Sequence, residues 1–288
     1  MRVAAAAWPI SWHDDWASFE GKVTDWVEKA DADLMVFPEY GLMDLVSLAG
    51  KPLDLETSAE FVSDATPEAN RIIAEIARQK NVFILGPSGP LRTPRGYVNR
   101  ATFFGPSGVV GHQDKQIMTR YEREQWLIVP GGPLTLFETP VGRIGVLICY
   151  DAEFPLLGRS LVEAGAEVLL CPSATEALSG YSRVRIGAQA RALEGQCISL
   201  HAPLVGQAPW CEAVDASKGC AGVFCPPDVG FPDTGVLALG SMDDMGWTQS
   251  EVDLTAIAQV RANGRVLNVQ NWPEQRRMSY QHVNLVRA

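Results

Sequence analysis

Two kinds of structural unit alternate along this 288-residue chain, and their alternation constrains the fold more than any other feature. Short apolar runs such as "DLMVF" and "VFILG" indicate buried strands, and each follows a segment whose apolar residues recur every three or four positions, as on one face of a helix. Between these units lie pairs of strand-like runs joined by the tight turns Pro106-Ser107-Gly108 and Pro140-Val141-Gly142. The pattern predicts one domain, residues 1–288, in which mixed sheets are covered by helices.

One predicted helix has clear boundary signals at both ends. Thr66 is suited to be its N-cap, Pro67 its first helical residue and Asn81 its last. The polar and apolar segment that precedes it, up to Asp64, is predicted to be a loop.

The charge balance excludes two classes of partner. The chain has 34 acidic and 24 basic residues, a formal charge of -10, and no basic run. Nucleic acid and anionic membrane surfaces are therefore not expected as partners. The first residues, "MRVAAAAWPI", are too short an apolar segment for a signal peptide, and no run approaches the roughly 20 apolar residues of a membrane helix. We expect a first strand there and a cytoplasmic protein.

The cysteines and histidines suggest neither a metal site nor a redox pair. Several of the six cysteines lie in strand-like apolar runs, there is no CxxC motif, and the four histidines are scattered. This pattern predicts reduced thiols, no bound metal and no cofactor. No function is assigned to Cys211, Cys220 and Cys225, because they have no ligand-like spacing.

The stretch "GVLICYDAEFP" ends a buried strand on Cys149 and turns towards a helix that starts near Pro155. A cysteine inside a strand is usually a small hydrophobic residue, and this reading applies to Cys171 and Cys197. Cys149 differs because the apolar run stops there, which would put the sulfur at a sheet edge near a helix N-terminus. That position is expected to lower the thiol pKa and favour the thiolate, so Cys149 is a candidate nucleophile.

Two more polar residues follow predicted strands. Glu39 comes directly after "LMVFP", and Lys115 follows the strand that ends the "FFGPSGVVGHQD" hairpin. Each alone would be read as an ordinary surface charge. Open sheets, however, place ligand sites at strand ends, so these residues could meet Cys149 in one crevice. Together they would supply a base, a nucleophile and a cation for an oxyanion.

These three segments, in this order, resemble the Glu-Lys-Cys triad of the nitrilase superfamily, the carbon-nitrogen hydrolases. The similarity extends over nearly the whole chain, including "MRVAAAAW", "ARALEGQC" and "SEVDLTAIAQV". The resemblance implies a four-layer α-β-β-α sandwich and a homodimer or higher homo-oligomer. It also implies that Glu39 is the general base, that Cys149 forms a thioester, and that Lys115 and the backbone N–H of Tyr150 stabilise the oxyanion.

The resemblance implies a second glutamate as well, shortly before a Pro-Gly pair, which positions the lysine and the substrate. The segment "EREQWLIVPGG" offers Glu122 and Glu124. The spacing to Pro130-Gly131 favours Glu124.

The residues after the cysteine bear on the substrate. Family members that hydrolyse N-carbamoyl amino acids carry arginines there, whereas this chain has Asp151, Ala152 and Glu153. Nitrilases usually show Trp-Glu, and Tyr150-Asp151 is more similar to the amidase branch. A small carboxamide is therefore the expected substrate. A nitrilase, an N-carbamoyl (ureido) hydrolase, an acyltransferase and a catalytically silent binding protein remain alternatives.

Glu153 is a further candidate for substrate binding. If it faces the pocket, its carboxylate could attract an amine on the substrate, such as that of an amino acid amide. The alternative is that it only places a favourable negative charge near a helix N-terminus.

Overall fold

The structure, a computed structural model, describes residues 1–276 and 285–286. In this part of the chain there are fourteen strands: β1 (Arg2–Pro9), β2 (Leu34–Val36), β3 (Phe83–Leu85), β4 (Gly89–Thr93), β5 (Gly96–Gly105), β6 (Gly108–Asp114), β7 (Leu136–Thr139), β8 (Gly142–Val146), β9 (Val168–Ser173), β10 (Ile198–Gln207), β11 (Ala216–Ser217), β12 (Gly222–Phe224), β13 (Val236–Leu239) and β14 (Gly246–Glu251). The same part contains seven α-helices: α1 (Trp16–Lys29), α2 (Leu55–Lys80), α3 (Arg120–Glu124), α4 (Pro155–Glu163), α5 (Leu178–Gly195), α6 (Leu254–Asn263) and α7 (Asn268–Arg276). Three short 3₁₀ segments complete it: Gly41–Ala49, Cys149–Glu153 and Glu212–Val214.

The strands form two layers that are hydrogen-bonded to each other at one short seam. The first layer contains β1 to β6 and β14, and the second contains β7 to β10, β12 and β13, with β11 paired to β10. The pairs β1–β2, β2–β3, β8–β9 and β9–β10 are parallel. β1 meets β10 at Trp8↔Leu204 and Pro9↔Val205. This seam brings the ends of strands from both layers close together.

Consecutive residues of the central strand β1 face opposite sides. Trp8 packs in the cluster that includes α1 and α2, whereas Ala7 belongs to the cluster formed with the second layer. Between the layers, Phe103 of β5 contacts Phe137 of β7 with ring centroids 5.0 Å apart. The outer face of the second layer is covered by α4 and α5, with Leu161 buried in its core. The order is thus helix, sheet, sheet, helix, which confirms the predicted four-layer fold.

The predicted start of the second helix is wrong. α2 begins well before Pro67, with the side chain of Asp54 as its N-cap, and Pro67 lies inside it. Thr66 is not a cap, because its hydroxyl donates to the carbonyl of Val62 at 2.7 Å within the same helix. The buried face of the earlier turns outweighs the backbone hydrogen bond that proline removes. The predicted end at Asn81 is confirmed, since this residue is the C-cap in a left-handed conformation.

Candidate active site

Cys149 lies at the first residue of the 3₁₀ turn that follows β8. Its φ of 50° is left-handed, a conformation that residues with a β-carbon rarely adopt. Packing from α5 supports this turn: the guanidinium of Arg191 donates to the carbonyl of Ala152 at 3.0 Å, and Gly187 lies against the same carbonyl. The strained turn is therefore imposed by the surrounding structure and directs the thiol into a pocket.

Glu39 follows β2 and is almost fully buried, with 1% of its surface exposed. Its Oε1 accepts hydrogen bonds from Lys115 Nζ at 2.7 Å and from Asn99 Nδ2 at 2.9 Å. Its Oε2 accepts one from the backbone N–H of Ala174 at 2.9 Å. Burial raises the pKa of Glu39 above its usual value, and the ammonium of Lys115 acts against that shift.

Lys115 lies directly after β6, and its buried ammonium bridges two carboxylates. Nζ contacts Glu39 at 2.7 Å and both oxygens of Glu122 at 2.8 and 2.9 Å. Burial alone would lower the pKa of Lys115, but the charges of Glu39 and Glu122 outweigh it and hold the pKa well above its usual value. The lysine is therefore a fixed cation that lines the pocket.

The glutamate that contacts the lysine is Glu122, so the preference for Glu124 from the Pro-Gly spacing is wrong. Glu124 has 55% of its side chain exposed and pairs with Arg120 at 2.8 Å. Both residues lie in the single-turn helix α3. Residues two positions apart in a helix lie on opposite faces, so only one of the two glutamates can point inward. The phase of this turn depends on where the helix begins, and the distance to the Pro-Gly pair does not report that.

A local signal could have identified Glu122. The sequence from Thr119 to Glu122 has the Thr-x-x-Glu pattern of a capping box, and the structure shows both halves of it. Oε2 of Glu122 accepts from the backbone N–H and the hydroxyl of Thr119, each at 2.8 Å, while Oε1 accepts from the hydroxyl of Tyr40 at 2.6 Å. Burial raises the pKa of Glu122, but Lys115 and these donors bring it below the usual value.

The thiol of Cys149 is not poised as a thiolate, contrary to the prediction from its place near a helix N-terminus. Burial, followed by the negative charge of Glu39, raises its pKa well above that of an ordinary thiol. Sγ donates to the carbonyl oxygen of Ala174 at 3.8 Å, while the N–H of Ala174 donates to Glu39. One residue at the end of β9 therefore contacts both the thiol and the carboxylate.

Asp151, whose place after the cysteine bears on the substrate type, is also buried beside the triad. Its carboxylate accepts from the backbone N–H of Ile117 at 2.8 Å and from that of Gln116 at 3.1 Å. These two residues directly follow Lys115, so Asp151 joins the lysine loop to the cysteine turn. Burial raises the pKa of Asp151 to about 7, although the two N–H groups act in the opposite direction.

Glu39, Lys115 and Cys149 all line one pocket of about 520 Å³. Tyr150 lines it beside the cysteine, and its ring packs edge-on against Phe154 with centroids 4.8 Å apart. Glu153 also lines the pocket and pairs with Arg183 at 3.4 Å. The rest of the wall carries three exposed acids: Glu176, Glu212 and Asp215.

The remaining cysteines do not contribute to this pocket. All six cysteines fall within the described residues, where each is buried and free of a disulfide. Across residues 1–276 and 285–286, no group of three or more His, Cys, Asp or Glu side chains is arranged to hold a metal ion. The described helices include none that is both long and apolar enough to cross a membrane.

Known proteins resemble this chain in sequence. YhcX, a probable hydrolase of Bacillus subtilis, is 31% identical over 242 residues, which make up 84% of this chain and 47% of that protein. The deaminated glutathione amidase of Yersinia enterocolitica is 43% identical over 93 residues, 32% of each protein. The chain thus spans about half the length, or less, of these curated relatives.

Solved structures resemble it in fold. A carbon-nitrogen hydrolase from Helicobacter pylori G27 superimposes with a TM-score of 0.76 at 18% identity, over 97% of this chain and 96% of that one. Nit3 of Saccharomyces cerevisiae, a member of branch 10 of the nitrilase superfamily, has a TM-score of 0.69 at 20% identity, over 91% and 93% of the two chains. The carbon-nitrogen hydrolase family itself matches residues 2–242, most of the chain. The chain therefore belongs to the carbon-nitrogen hydrolase family.

Proposed function

We propose that this protein hydrolyses a small carboxamide to a carboxylate and ammonia through a thioester on Cys149. The observation that carries the proposal is the meeting of Glu39, Lys115 and Cys149 at one pocket, although they come from distant parts of the chain. The family match and the relatives that are called amidases support the same class of reaction.

The first step is attack by sulfur with Glu39 as general base. Because burial raises the pKa of the thiol and the carboxyl alike, Cys149 keeps its proton until a substrate arrives. Glu39 then takes that proton while the sulfur bonds to the amide carbon. A neutral thiol in the resting state limits reaction with other electrophiles.

The second step requires a positive charge for the oxyanion. The ammonium of Lys115 has three N–H groups. One donates to Glu39, and a second is shared between the two oxygens of Glu122. The third is left for the substrate oxygen. The backbone N–H of Tyr150 is the second donor. Both are fixed before the substrate binds, which is the arrangement that stabilises a developing charge.

The remaining steps return the enzyme to its resting state. Glu39 gives its proton to the amide nitrogen, the C–N bond breaks, ammonia leaves, and the acyl group stays on Cys149. Glu39 then takes a proton from water as the water oxygen attacks the thioester. The C–S bond breaks, the carboxylic acid is released, and the thiol regains its proton.

We also propose that the substrate carries an amine and that Glu153 attracts it. Besides Glu39 and Glu122, which pair with Lys115, four carboxylates line the pocket, and one of these, Glu153, pairs with Arg183. The negative wall favours a cation and disfavours a substrate with its own carboxylate. Each exposed carboxylate contributes roughly 0.2–1 kcal/mol, so the expected preference is modest.

Comparing matched substrates tests this preference. Glu153→Gln should lower kcat/KM several-fold for amino acid amides and leave the matched amides without an amine unchanged. An equal effect on both sets would mean that Glu153 acts through its charge near the start of α4 rather than on the substrate.

Ammonia release tests the reaction itself. Wild-type protein, Cys149→Ala and the control Cys171→Ala are given a panel of amides, N-carbamoyl compounds and nitriles. Cys171 is equally buried but lies away from the pocket. Release from amides that is lost in Cys149→Ala and kept in Cys171→Ala supports the proposal.

Other outcomes point to the alternatives. Release from nitriles or N-carbamoyl compounds alone would replace the amidase with a nitrilase or a ureido hydrolase, and transfer of the acyl group to an added amine would indicate an acyltransferase. No release from folded protein, together with ligand-induced thermal stabilisation, would indicate a silent binding protein.

We further propose that the protein forms a homodimer through the outer helices. Leu156 of α4 is 73% exposed, and Ile186 and Leu178 of α5 are 65% and 55% exposed. Large apolar side chains on the outer face of packed helices are typical of an interface. Light scattering should give twice the chain mass for the wild type, and Ile186→Lys should lower it.

A further inference from the structure

The two oxygens of Glu39 are in unequal surroundings. Oε1 accepts two hydrogen bonds, from Lys115 Nζ and Asn99 Nδ2 at 2.7 and 2.9 Å. Oε2 accepts one, from the N–H of Ala174 at 2.9 Å. Because a carboxylate oxygen offers about two lone-pair positions, Oε1 is saturated and Oε2 keeps one position free. Ala174 also accepts from the thiol, so the free position lies on the side of Cys149.

The orientation of the Asn99 amide is fixed by a chain of hydrogen bonds with one possible direction. The backbone N–H of Tyr40 donates to Ser88 Oγ at 2.9 Å, and Ser88 Oγ donates to Asn99 Oδ1 at 2.6 Å. The NH₂ group of Asn99 therefore faces Glu39. A flipped amide would place Oδ1 against the carboxylate and leave a buried acceptor unpaired, which is costly.

The chain is sealed from solvent. Asn99 and Ser88 have no exposed surface, and neither lines the pocket. They therefore do not touch a substrate, and any effect on the reaction must pass through Glu39.

We propose that Asn99, oriented by Ser88, is a positioning residue that holds Oε1 of Glu39, so that Oε2 alone exchanges protons with Cys149, the leaving nitrogen and the attacking water. This inference rests on the proposed function for the last two partners, but the exchange with the thiol does not depend on the substrate. It assigns separate tasks to the two oxygens: one is an anchor and the other is the proton carrier.

Loss of the anchor has two physical consequences. A donor to a carboxylate stabilises its charged form, so Asn99→Ala should raise the pKa of Glu39. The carboxylate also gains rotational freedom, and a misplaced base slows the chemical step. We expect kcat to fall roughly 10- to 100-fold with KM within about twofold, and the acid limb of the pH profile to move to higher pH.

Alkylation of the thiol tests the positioning without a substrate. The rate of reaction of Cys149 with iodoacetamide is followed against pH by mass spectrometry of its peptide. In wild-type protein the rate should rise as Glu39 ionises, and in Asn99→Ala this rise should occur at higher pH. Ser88→Ala should shift it in the same direction by a smaller amount, since the amide is then free to turn.

A residue on the same strand provides the control. Thr102 of β5 is buried on the opposite face to Asn99, so Thr102→Val tests whether any buried polar change on this strand has the same effect. Its profile should match the wild type. The proposal would be overturned if the alkylation rate rose at the wild-type pH in both Asn99→Ala and Ser88→Ala. It would also be overturned if Thr102→Val shifted that rise as much as they do.

The two proposals can fail separately. If no amide is hydrolysed by wild-type protein, the proposed function fails, while the alkylation profiles still decide the role of Asn99. If Asn99→Ala does not fold, Ser88→Ala carries the test, because it keeps the amide and removes the hydroxyl that orients it, together with the acceptor of the Tyr40 backbone N–H.

Discussion

Replacing Glu122 with glutamine, beside the same change at Glu124, separates a buried charge from an exposed one within a single helical turn. Glu122 has 3% of its side chain exposed and contacts Lys115, whereas Glu124 has 55% exposed and contacts Arg120. The two changes are chemically identical and lie two residues apart. A difference between them therefore reports the surroundings rather than the substitution.

The expected magnitude follows from what each change leaves behind. Glu122→Gln leaves the Lys115 ammonium buried with one carboxylate, Glu39, in place of two. Removing one partner of a buried ion pair costs about 3–5 kcal/mol, and since Glu39 and the glutamine oxygen still accept hydrogen bonds, we expect about 3 kcal/mol. Glu124→Gln removes an exposed helical pair and should cost less than ~0.5 kcal/mol.

Urea unfolding followed by tryptophan fluorescence measures both values at pH 7. A change of about 1 kcal/mol shifts Tm by about 2 °C in a chain of this size. In thermal unfolding, Tm should therefore fall by about 6 °C for Glu122→Gln and by less than ~1 °C for Glu124→Gln. The pKa of Glu122 in the folded protein lies below its ordinary value of 4.5, so its ionic contribution is present above pH 4.5 and is lost as the pH falls through the lower folded value. Equal losses for the two variants, or a Glu122 effect that persists in strong acid, would refute the assignment.

Two further substitutions test how the cysteine turn is held. Asp151 has a folded pKa of about 7 against 3.8 when unfolded, so the folded protein binds one more proton than the unfolded protein between these pH values. Wild-type stability should therefore fall by up to ~1.4 kcal/mol per pH unit as the pH rises through that window. Asp151→Asn should remove this slope in urea unfolding at a series of pH values, and an unchanged slope would contradict the assignment. In Gly187→Ala the new methyl group would meet the carbonyl oxygen of Ala152 at 2.7 Å and displace the cysteine turn, so the rates of Cys149 alkylation and amide hydrolysis should both fall at least tenfold. Gly21→Ala is the control, because nothing lies within 4 Å of the new methyl group. It should leave both rates unchanged and raise the stability by ~1 kcal/mol.

Much of the layered fold could be predicted from residue patterns because its signals are local. Apolar runs mark the strands, and the turns at Gly108 and Gly142 have the left-handed φ values of 110° and 117° that favour glycine. The start of α2 could not be predicted, because Pro67 is a strong local signal that packing of the earlier turns overrides. Local preference decides a boundary only where burial does not.

The residues of the site divide in the same way. Glu39, Lys115 and Cys149 were predicted by resemblance, and the structure brings them together. The pKa of the thiol was predicted in the wrong direction, since nearness to a helix N-terminus can be read from the chain but complete burial cannot. Asn99 carries no sequence signal for its contact with Glu39, because that contact depends on how the sheet places β5 relative to β2, with β3 between them.

The contacts that hold this site together cross between the two layers, which makes them the hardest to anticipate and the most informative to disturb. Glu39 leaves a strand of the first layer and is bonded by Ala174 at the end of β9 in the second, 135 residues away. Asp151 joins the cysteine turn of the second layer to the loop that carries Lys115 from the first. The base and cation are therefore held in place relative to the nucleophile by backbone N–H groups that closely follow strands of the two layers. A change that loosens either contact should slow the reaction before it unfolds the protein, because positioning is lost over tenths of an ångström whereas the core of each layer stays buried.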